Sequence, residues 1–226
     1  MSRPVLYDYF RSSAAYRVRI ALNLKGVDYE SRPVNLVAGE QKAAAYRELN
    51  PQGLVPMLEI EGERLTQSLA IIGYLDQRYP KSALLPANAA SRAHVLSMAL
   101  TICCDIHPLN NLRVLKHLKN ELGHSQDEVD AWYRHWIVEG LAALEALAAP
   151  QAGAFLWRDH PTIADVCLVP QLFNARRFDV PLDPYPTLVR ADENAAKVEA
   201  FAAAHPDRQG PHQSSNLTES QQEQPQ

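Results

Sequence analysis

The feature that most constrains the fold of this 226-residue chain is a change in hydrophobic pattern near residue 88. Before that point, short β-branched and aromatic runs alternate with stretches whose apolar residues recur at helical spacing. After it, only the helical spacing continues. The change predicts an α/β domain followed by an all-helical domain, because elements of one kind pack together in layers around a common core.

The first third of the chain predicts a small mixed sheet with helices on its faces. Ser12 or Ser13 precedes the first helical pattern as a capping hydroxyl, and Gly62 marks the tight turn of a hairpin. Pro33 lacks a backbone donor, which favours an edge position for the second strand, and Ser68 is the expected cap of the last helix. In the order β-α-β-α-β-β-α, these elements run from 5 to 9, 14 to 25, 29 to 34, 38 to 49, 57 to 60, 63 to 66 and 68 to 79.

The remainder of the chain predicts four helical runs and a tail. Pro108 should interrupt the first run, because proline removes a helical hydrogen bond, and Thr162 with Asp165 resembles a capping box. The runs extend from 89 to 122, 127 to 147, 162 to 178 and 187 to 204. The predicted domains are therefore 1–82 and 87–205, and the Gln-, Ser- and Pro-rich residues 206–226 are expected to be a disordered tail.

Composition argues against several classes of function. A net charge of −4 provides no overall field for attracting nucleic acid, and neither a secretory pattern nor a membrane-spanning apolar run is present in the sequence. Cys103, Cys104 and Cys167 have neither metal-binding nor disulfide-framework spacing, and their apolar surroundings predict buried structural thiols. No histidine completes a recognisable metal spacing. These observations predict a cytoplasmic protein that binds no metal, nucleic acid or membrane.

Two strand-to-helix junctions carry hydroxyl and amide side chains, at Arg11-Ser12-Ser13 and at Gln67-Ser68. The unpaired N–H groups of a helix N-terminus favour an anion such as a thiolate or a phosphate. Simple N-capping also explains serine at these positions, so the local pattern leaves both interpretations open. Both junctions should lie at the same edge of the sheet, which is where open α/β folds bind ligands.

Three other segments are unusual in their polarity or backbone chemistry. His107 stands among Asp, Asn and Arg residues next to a proline, either as part of a ligand site or as a satisfied core histidine. Arg176 and Arg177 are adjacent on a predicted helix, so at most one should face a site, where its planar fork could hold a carboxylate. Val55 precedes Pro56, and a cis peptide there would present the backbone of Val55 to a ligand.

In their combination and order, these segments resemble the zeta class of glutathione transferases. Residues Arg11 to Leu22 are similar to the family signature Ser-Ser-Cys-x-Trp-Arg-Val-Arg-Ile-Ala-Leu, and Asn50 to Pro56 and Gln67 to Ile72 are similar to its two glutathione-backbone segments. Asp105 to Arg113 and Leu168 to Phe178 match segments of its helical domain. The resemblance covers nearly all of the chain except the tail, and the joint pattern is specific although each piece alone is not.

The resemblance implies a glutathione transferase fold, in which a thioredoxin-like domain binds glutathione as a cofactor and an all-α domain completes the substrate pocket. It makes Ser12 the hydroxyl that supports the thiolate of glutathione, and it places Arg177 and Arg11 at the substrate carboxylates, with Arg176 ranked below them. Ser12, Arg177 and Arg11 are thus the implied catalytic residues. The implied glutathione contacts are Ser12, Ser13, Gln41, Val55, Gln67, Ser68, His107 and Asn111. A homodimer is also implied.

The activity that the resemblance implies is cis–trans isomerisation of a small dicarboxylic keto acid, in which glutathione adds through its thiol and leaves unchanged. Ala14 replaces the cysteine of the signature, which puts other activities of the family in doubt but leaves this one. Leu112 stands where the isomerase for maleylpyruvate has Arg, which favours maleylacetoacetate from tyrosine and homogentisate degradation. The alternatives are maleylpyruvate of gentisate degradation, a transferase or dehalogenase that consumes glutathione, and a non-catalytic interaction module.

Overall fold

A four-stranded mixed sheet in the order β2-β1-β3-β4 forms the first part of the computed structural model, which describes residues 3–209. β1 (Val5–Asp8) pairs in parallel with β2 (Glu30–Pro33) and antiparallel with β3 (Met57–Ile60). β3 pairs antiparallel with β4 (Glu63–Thr66) across the predicted hairpin. β2 lies at the edge of the sheet, as its proline predicts.

The helices of this part follow the predicted order. They are α1 (Ser13–Leu24), α2 (Ala44–Leu49), which follows a short 3₁₀ turn at Glu40–Lys42, and α3 (Ser68–Arg78). Ser12 caps α1, since its Oγ accepts the backbone N–H of Ala15 at 3.2 Å. The cap predicted for α3 is wrong. Gln67 occupies the N-cap position with φ of 67° and no side-chain cap bond, because the chain turns sharply there and Ser68 is already helical.

Beyond residue 88 the named elements of the described chain are helical, which confirms the predicted change of class. Pro108 lies in the break between a π-helical turn, which continues the first helix, and the second helix. The last predicted run is divided into two helices. The elements are α4 (Ala89–Leu100), a π-helical turn (Thr101–Ile106), α5 (Leu112–Asn120), α6 (Gln126–Ala148), α7 (Ile163–Arg177), α8 (Pro186–Ala196), α9 (Glu199–Ala204) and a 3₁₀ turn (Pro206–Arg208).

The start of α7 has the capping box that the sequence predicts, and it is buried. Asp165 accepts the backbone N–H groups of Leu156 and Thr162, each at 2.8 Å, and the hydroxyl of Thr162 at 3.0 Å. Burial outweighs these bonds and raises the pKa of Asp165 to about 6. The box therefore anchors α7 to the loop that precedes it, with a carboxyl group in the core.

The first residues of the predicted tail, Pro206–Arg208, are ordered as a 3₁₀ turn. Pro206 is buried, and the turn is tied to α9 because the side chain of Gln209 donates to the carbonyl of Ala203 at 2.7 Å and Arg208 pairs with Glu199 at 3.2 Å. The rest of the predicted tail, from residue 210 onward, lies outside the described residues.

A buried ion pair connects the sheet to the end of the helical part. The Nη1 atom of Arg19 lies 2.8 and 2.9 Å from the two carboxylate oxygens of Asp8, and both side chains are fully buried. The same guanidinium donates through Nη2 to the carbonyl of Phe10 and through Nε to the carbonyl of Ala204, each at 3.1 Å. One side chain therefore holds β1, the junction into α1 and α9 together.

Candidate active site

A cleft of about 200 Å³ lies between the sheet domain and the helical part. The residues that line it come from the first turns of α1, from the second strand-to-helix junction, from the segment before β3 and from the region after α4. They are Ala14, Arg17, Asn50, Gln52, Leu54, Val55, Pro56, Gln67, Ser68, Leu69, Cys103, Cys104, His107, Pro108, Asn111 and Arg113. The starts of α1 and α3 thus meet at one cleft, and five of the eight predicted glutathione contacts lie in its lining. The other three, Ser12, Ser13 and Gln41, do not.

The first junction presents the start of α1 to the cleft. Ser12 is half-buried, and because its Oγ accepts a backbone N–H, its own hydroxyl hydrogen remains available for donation. Ser13 is buried, and its Oγ accepts from the side-chain amide of Asn174 on α7 at 2.6 Å. The structure therefore gives these hydroxyls different roles, since Ser12 caps the helix whereas Ser13 joins α1 to α7.

Arg17 is the residue of this cleft that the sequence interpretation missed. It is only 2% exposed, and its Nη1 lies 3.5 Å from the Oγ of Ser68, which connects the two junctions. Its Nε and Nη2 atoms are buried without a hydrogen-bond partner in the described part of the protein. An unpaired buried guanidinium is costly, so these donors fit an anionic group of a ligand in the cleft. The only signal in the sequence is that Arg17, like Arg19, stands among apolar residues of the first helix.

The second junction and the segment before β3 form the opposite side of the cleft. Gln67 is exposed and donates to Gln52 at 2.8 Å, whereas Ser68 is buried. The peptide bond between Val55 and Pro56 is cis, which bears out the geometry that the sequence raised for this position. These residues place backbone and side-chain polar groups next to the start of α3.

Gln41 is a predicted glutathione contact that is not in the lining of the cleft. Its side chain is buried, and its Oε1 has no hydrogen-bond partner among the described residues. Gly53 packs against the backbone of Gln41 with φ of 61°, where a Cβ would come within 2.8 Å of the carbonyl oxygen. The glycine therefore permits the close approach of this turn to the segment that leads to the cleft.

His107 and Asn111 lie on the helical side of the cleft. Asn111 caps α5, because its Oδ1 accepts the backbone N–H of Arg113 at 3.1 Å. Removal from water, reinforced by the charges of Arg17 and Arg113, lowers the pKa of His107 to about 3. His107 is therefore neutral at neutral pH and offers one donor and one acceptor nitrogen to its surroundings.

The three arginines proposed for substrate carboxylates are exposed, and the lining of the cleft does not include them. Arg11 lies over the ring of Phe10 at 5.0 Å, and Arg177 lies about equally far from the rings of Phe173 and Phe178, at 6.0 and 5.9 Å. Arg176 instead pairs with Asp192 of α8 at 2.6 Å. The two adjacent arginines thus point differently, as helical geometry predicts.

The expectation that all three cysteines are buried structural thiols is wrong for Cys104. Cys167 is buried in α7, but Cys103 is half-buried and Cys104 is exposed, and both of the latter line the cleft. Apolar neighbours in sequence could not reveal this, because the exposure arises where the π-helical turn faces the space between the two parts of the fold.

The described residues contain neither a metal-type cluster nor a helix suited to a membrane. No group of three His, Cys, Asp or Glu side chains between residues 3 and 209 could hold a metal ion. Within the same range, each helix is too short or too polar to cross a bilayer.

The protein has a mixed four-stranded sheet with a cis proline before β3, a helical part, and a polar cleft between the two. This architecture is that of the glutathione transferases. Residues 6–83 match the family model described as the N-terminal domain of glutathione S-transferase.

Relatives that align with nearly the whole chain indicate which class of glutathione transferase this is. The chain is 50% identical to maleylacetoacetate isomerase of Rhizobium meliloti over 208 residues. The aligned region covers 92% of this chain and 98% of that protein. The chain is 45% identical to maleylpyruvate isomerase of a Ralstonia species, with coverage of 89% and 96%. The chain therefore belongs to the zeta-class glutathione transferase family.

Solved structures agree with this assignment. The holo structure of a bacterial zeta-class maleylpyruvate isomerase matches with a TM-score of 0.88 at 45% identity, over 90% of this chain and 97% of that one. A maleylacetoacetate isomerase of Anaeromyxobacter dehalogenans, with glutathione bound in its active site, matches with a TM-score of 0.82 at 46% identity, over 91% and 95%.

The low basicity of His107 leads to a prediction about pH. In spectra of histidine-labelled protein, assigned with His107→Gln, the signal of His107 should not titrate between about pH 5 and pH 8. Arg113→Ala should raise the pKa of His107, because it removes a nearby positive charge. Arg208→Ala removes an exposed arginine paired with Glu199 and should leave the signal unchanged. A native His107 that titrates near its ordinary pKa of about 6.5 would contradict this account.

Proposed function

We propose that this protein is a glutathione-dependent cis–trans isomerase that converts maleylacetoacetate to fumarylacetoacetate in tyrosine and homogentisate degradation. The observation that carries the proposal is the cleft in which the starts of α1 and α3 meet beside the unpartnered donors of Arg17. Two helix N-termini and a buried cation favour a ligand that carries negative charge. The relative with 50% identity over nearly the full chain supports this particular reaction.

The residues of the cleft fit glutathione, a tripeptide with two carboxylates and one thiol. We assign its γ-glutamyl end to Gln67 and Ser68, with Arg17 close by, and its cysteinyl backbone to Val55. The other proposed contacts are Ser12, Ser13, Gln41, His107 and Asn111. When bound, glutathione supplies a thiolate that adds reversibly to the cis double bond, so that rotation becomes possible and the cofactor is regenerated.

Ser12 has the role of holding the sulphur of glutathione in its ionised form. Its Oγ already accepts the N–H of Ala15, so its hydroxyl hydrogen can donate to a thiolate. The positive end of α1 acts in the same direction, since a helix N-terminus lowers the pKa of a nearby thiol. Ala14, at the position of the missing cysteine, lines the cleft and supplies no competing thiol.

Arg177 and Arg11 have the role of binding the carboxylates of the substrate. Within residues 3–209, no ion pair involves either side chain, and Arg177 packs beside the rings of Phe173 and Phe178. Their guanidinium groups can therefore hold a dicarboxylic acid and stabilise negative charge that develops on its carbonyl oxygen. Arg176 is paired with Asp192 and is the least suited of the three.

The choice between the two maleyl keto acids rests on the relatives more than on Leu112. Leu112 is 41% exposed and is not part of the lining, whereas the next residue, Arg113, does line the cleft. The cleft thus has a cation on this side despite the leucine. The sequence identities favour maleylacetoacetate isomerase, at 50% for the Rhizobium enzyme against 45% for the maleylpyruvate enzyme.

The assembly and location that we propose, a homodimer in the cytoplasm, follow from the family. The three cysteines are unbridged in the structure, which suits a reducing compartment. Light scattering at micromolar concentration tests the assembly directly.

Incubation of the purified protein with maleylacetoacetate and a trace of glutathione tests the reaction. We expect many turnovers per glutathione, full recovery of the thiol and a higher kcat/KM for maleylacetoacetate than for maleylpyruvate. Omission of glutathione should abolish turnover, because no protein thiol takes its place in the mechanism. Stoichiometric loss of glutathione would instead support a transferase or dehalogenase. A higher kcat/KM for maleylpyruvate would make maleylpyruvate the proposed substrate.

The proposed carboxylate clamp is tested by Arg177→Met, which removes the charge but retains much of the apolar stem. Loss of a charged hydrogen bond worth about 1.5–3 kcal/mol should lower kcat/KM by roughly 10- to 100-fold. Arg176→Met is the matched control, since it removes the neighbouring charge that is already paired with Asp192. It should affect thermal unfolding more than kcat/KM. Equal kinetic effects of the two substitutions would refute the assignment.

A further inference from the structure

Two cysteines that the proposed mechanism does not use lie against each other at the wall of the cleft. The Sγ atoms of Cys103 and Cys167 are 3.6 Å apart, within hydrogen-bonding distance. Cys103 belongs to the π-helical turn and lines the cleft, whereas Cys167 is fully buried in α7 behind it. One sulphur can therefore meet a molecule in the cleft, and the other can be reached only through the first.

The surroundings of the two thiols shift their pKa values in opposite directions. The hydrogen bond with Cys167, together with the positive charge of Arg17, lowers the pKa of Cys103. Burial raises the pKa of Cys167, and so does the negative charge of an ionised Cys103. Cys103 is therefore the thiol of the pair that ionises first, and the thiolate is the form that attacks a disulfide.

We propose that Cys103 and Cys167 are a redox-sensitive pair that is oxidised by glutathione disulfide entering the cleft. The inference rests on the proposed function in one respect, namely that the cleft binds the glutathione moiety. Half of glutathione disulfide is the same tripeptide, so the cleft can hold it by the contacts already assigned. Cys103 lines the same cleft as five of those contacts.

The reaction consists of two thiol–disulfide exchanges. The thiolate of Cys103 attacks one sulphur of glutathione disulfide, forms a mixed disulfide and releases one glutathione thiolate. Cys167 then loses its proton to the solvent or to a leaving thiolate and attacks the sulphur of Cys103, which displaces the second glutathione. The protein has lost two electrons and two protons, and one glutathione disulfide has become two glutathione molecules. Excess glutathione reverses both steps.

The geometry makes the second exchange feasible for this pair. A disulfide bond is about 2 Å long, so the two sulphur atoms must approach each other by roughly 1.5 Å. The mixed disulfide also removes the charge of Cys103, which favours ionisation of Cys167 because that charge raises its pKa. Closure of the bond withdraws the Cys103 thiol from the wall of the cleft.

Treatment of the reduced full-length protein with glutathione disulfide, followed by intact mass and peptide mapping, tests the proposal. The native protein should lose two hydrogens and yield a peptide that links Cys103 to Cys167. Cys167→Ala should stop at one glutathionyl group on Cys103, and Cys103→Ala should form no link to Cys167. Cys104→Ala is the matched control at the adjacent exposed thiol and should form the same link as the native protein. S-methylglutathione, which occupies the cleft but cannot exchange, should slow the reaction of the native protein.

Other products would overturn the proposal. These are a bond between Cys103 and Cys104, a glutathionyl group on Cys104 alone, or an unmodified protein that still binds glutathione. A protein that isomerises its substrate without forming the link disproves the cysteine pair only. A protein that forms the link without isomerising any maleyl keto acid disproves the proposed function and leaves the pair intact.

Discussion

The buried pair of Asp8 and Arg19 is the interaction on which the geometry of the site depends. Its guanidinium bonds the end of β1, the carbonyl of Phe10 in the junction and the carbonyl of Ala204 at the end of α9. Loss of one partner would leave an uncompensated buried charge, which costs about 3–5 kcal/mol. Because the junction leads directly to Ser12, this pair fixes the start of α1 relative to the helical part, and so determines where a bound thiol would lie.

The cleft near this ion pair contains several positively charged groups and a histidine that stays neutral. Arg17 supplies buried donors that have no partner among residues 3–209, Arg113 lines the helical side, and the starts of two helices add partial charges. The same cations help to keep His107 neutral, so that it contributes hydrogen bonds without a charge that varies with pH. The arrangement suits an anionic peptide in the cleft, with exposed arginines left for a dicarboxylic substrate.

Much of this fold could be predicted from the sequence, because local hydrophobic periodicity and capping residues determine it. The switch from alternating elements to helices, the edge strand with Pro33, the cap at Ser12 and the box of Thr162 with Asp165 all depend on a few neighbouring residues. The meeting of the two junctions also followed, since sheet topology places them at one edge.

The features that could not be predicted depend on contacts distant in sequence. The burial of Arg17 without full pairing, the exposure of Cys104 and the contact of Cys103 with Cys167 arise only when the helical part packs on the sheet. The cap at Ser68 was wrong because the backbone of Gln67 turns one residue earlier than the pattern indicates. The roles of individual residues toward glutathione and substrate stay predictions.

We propose that the start of α1, through Ser12, ionises the thiol of bound glutathione. Ultraviolet titration of the thiolate in the complex tests it most directly, with the native protein compared with Ser12→Ala and with Ser12→Thr, which keeps the hydroxyl. We expect a thiol pKa well below that of free glutathione in the native and Ser12→Thr complexes, and a pKa higher by about 1–2 in the Ser12→Ala complex. Equal pKa values in the native and Ser12→Ala complexes, with glutathione bound in both, would contradict it.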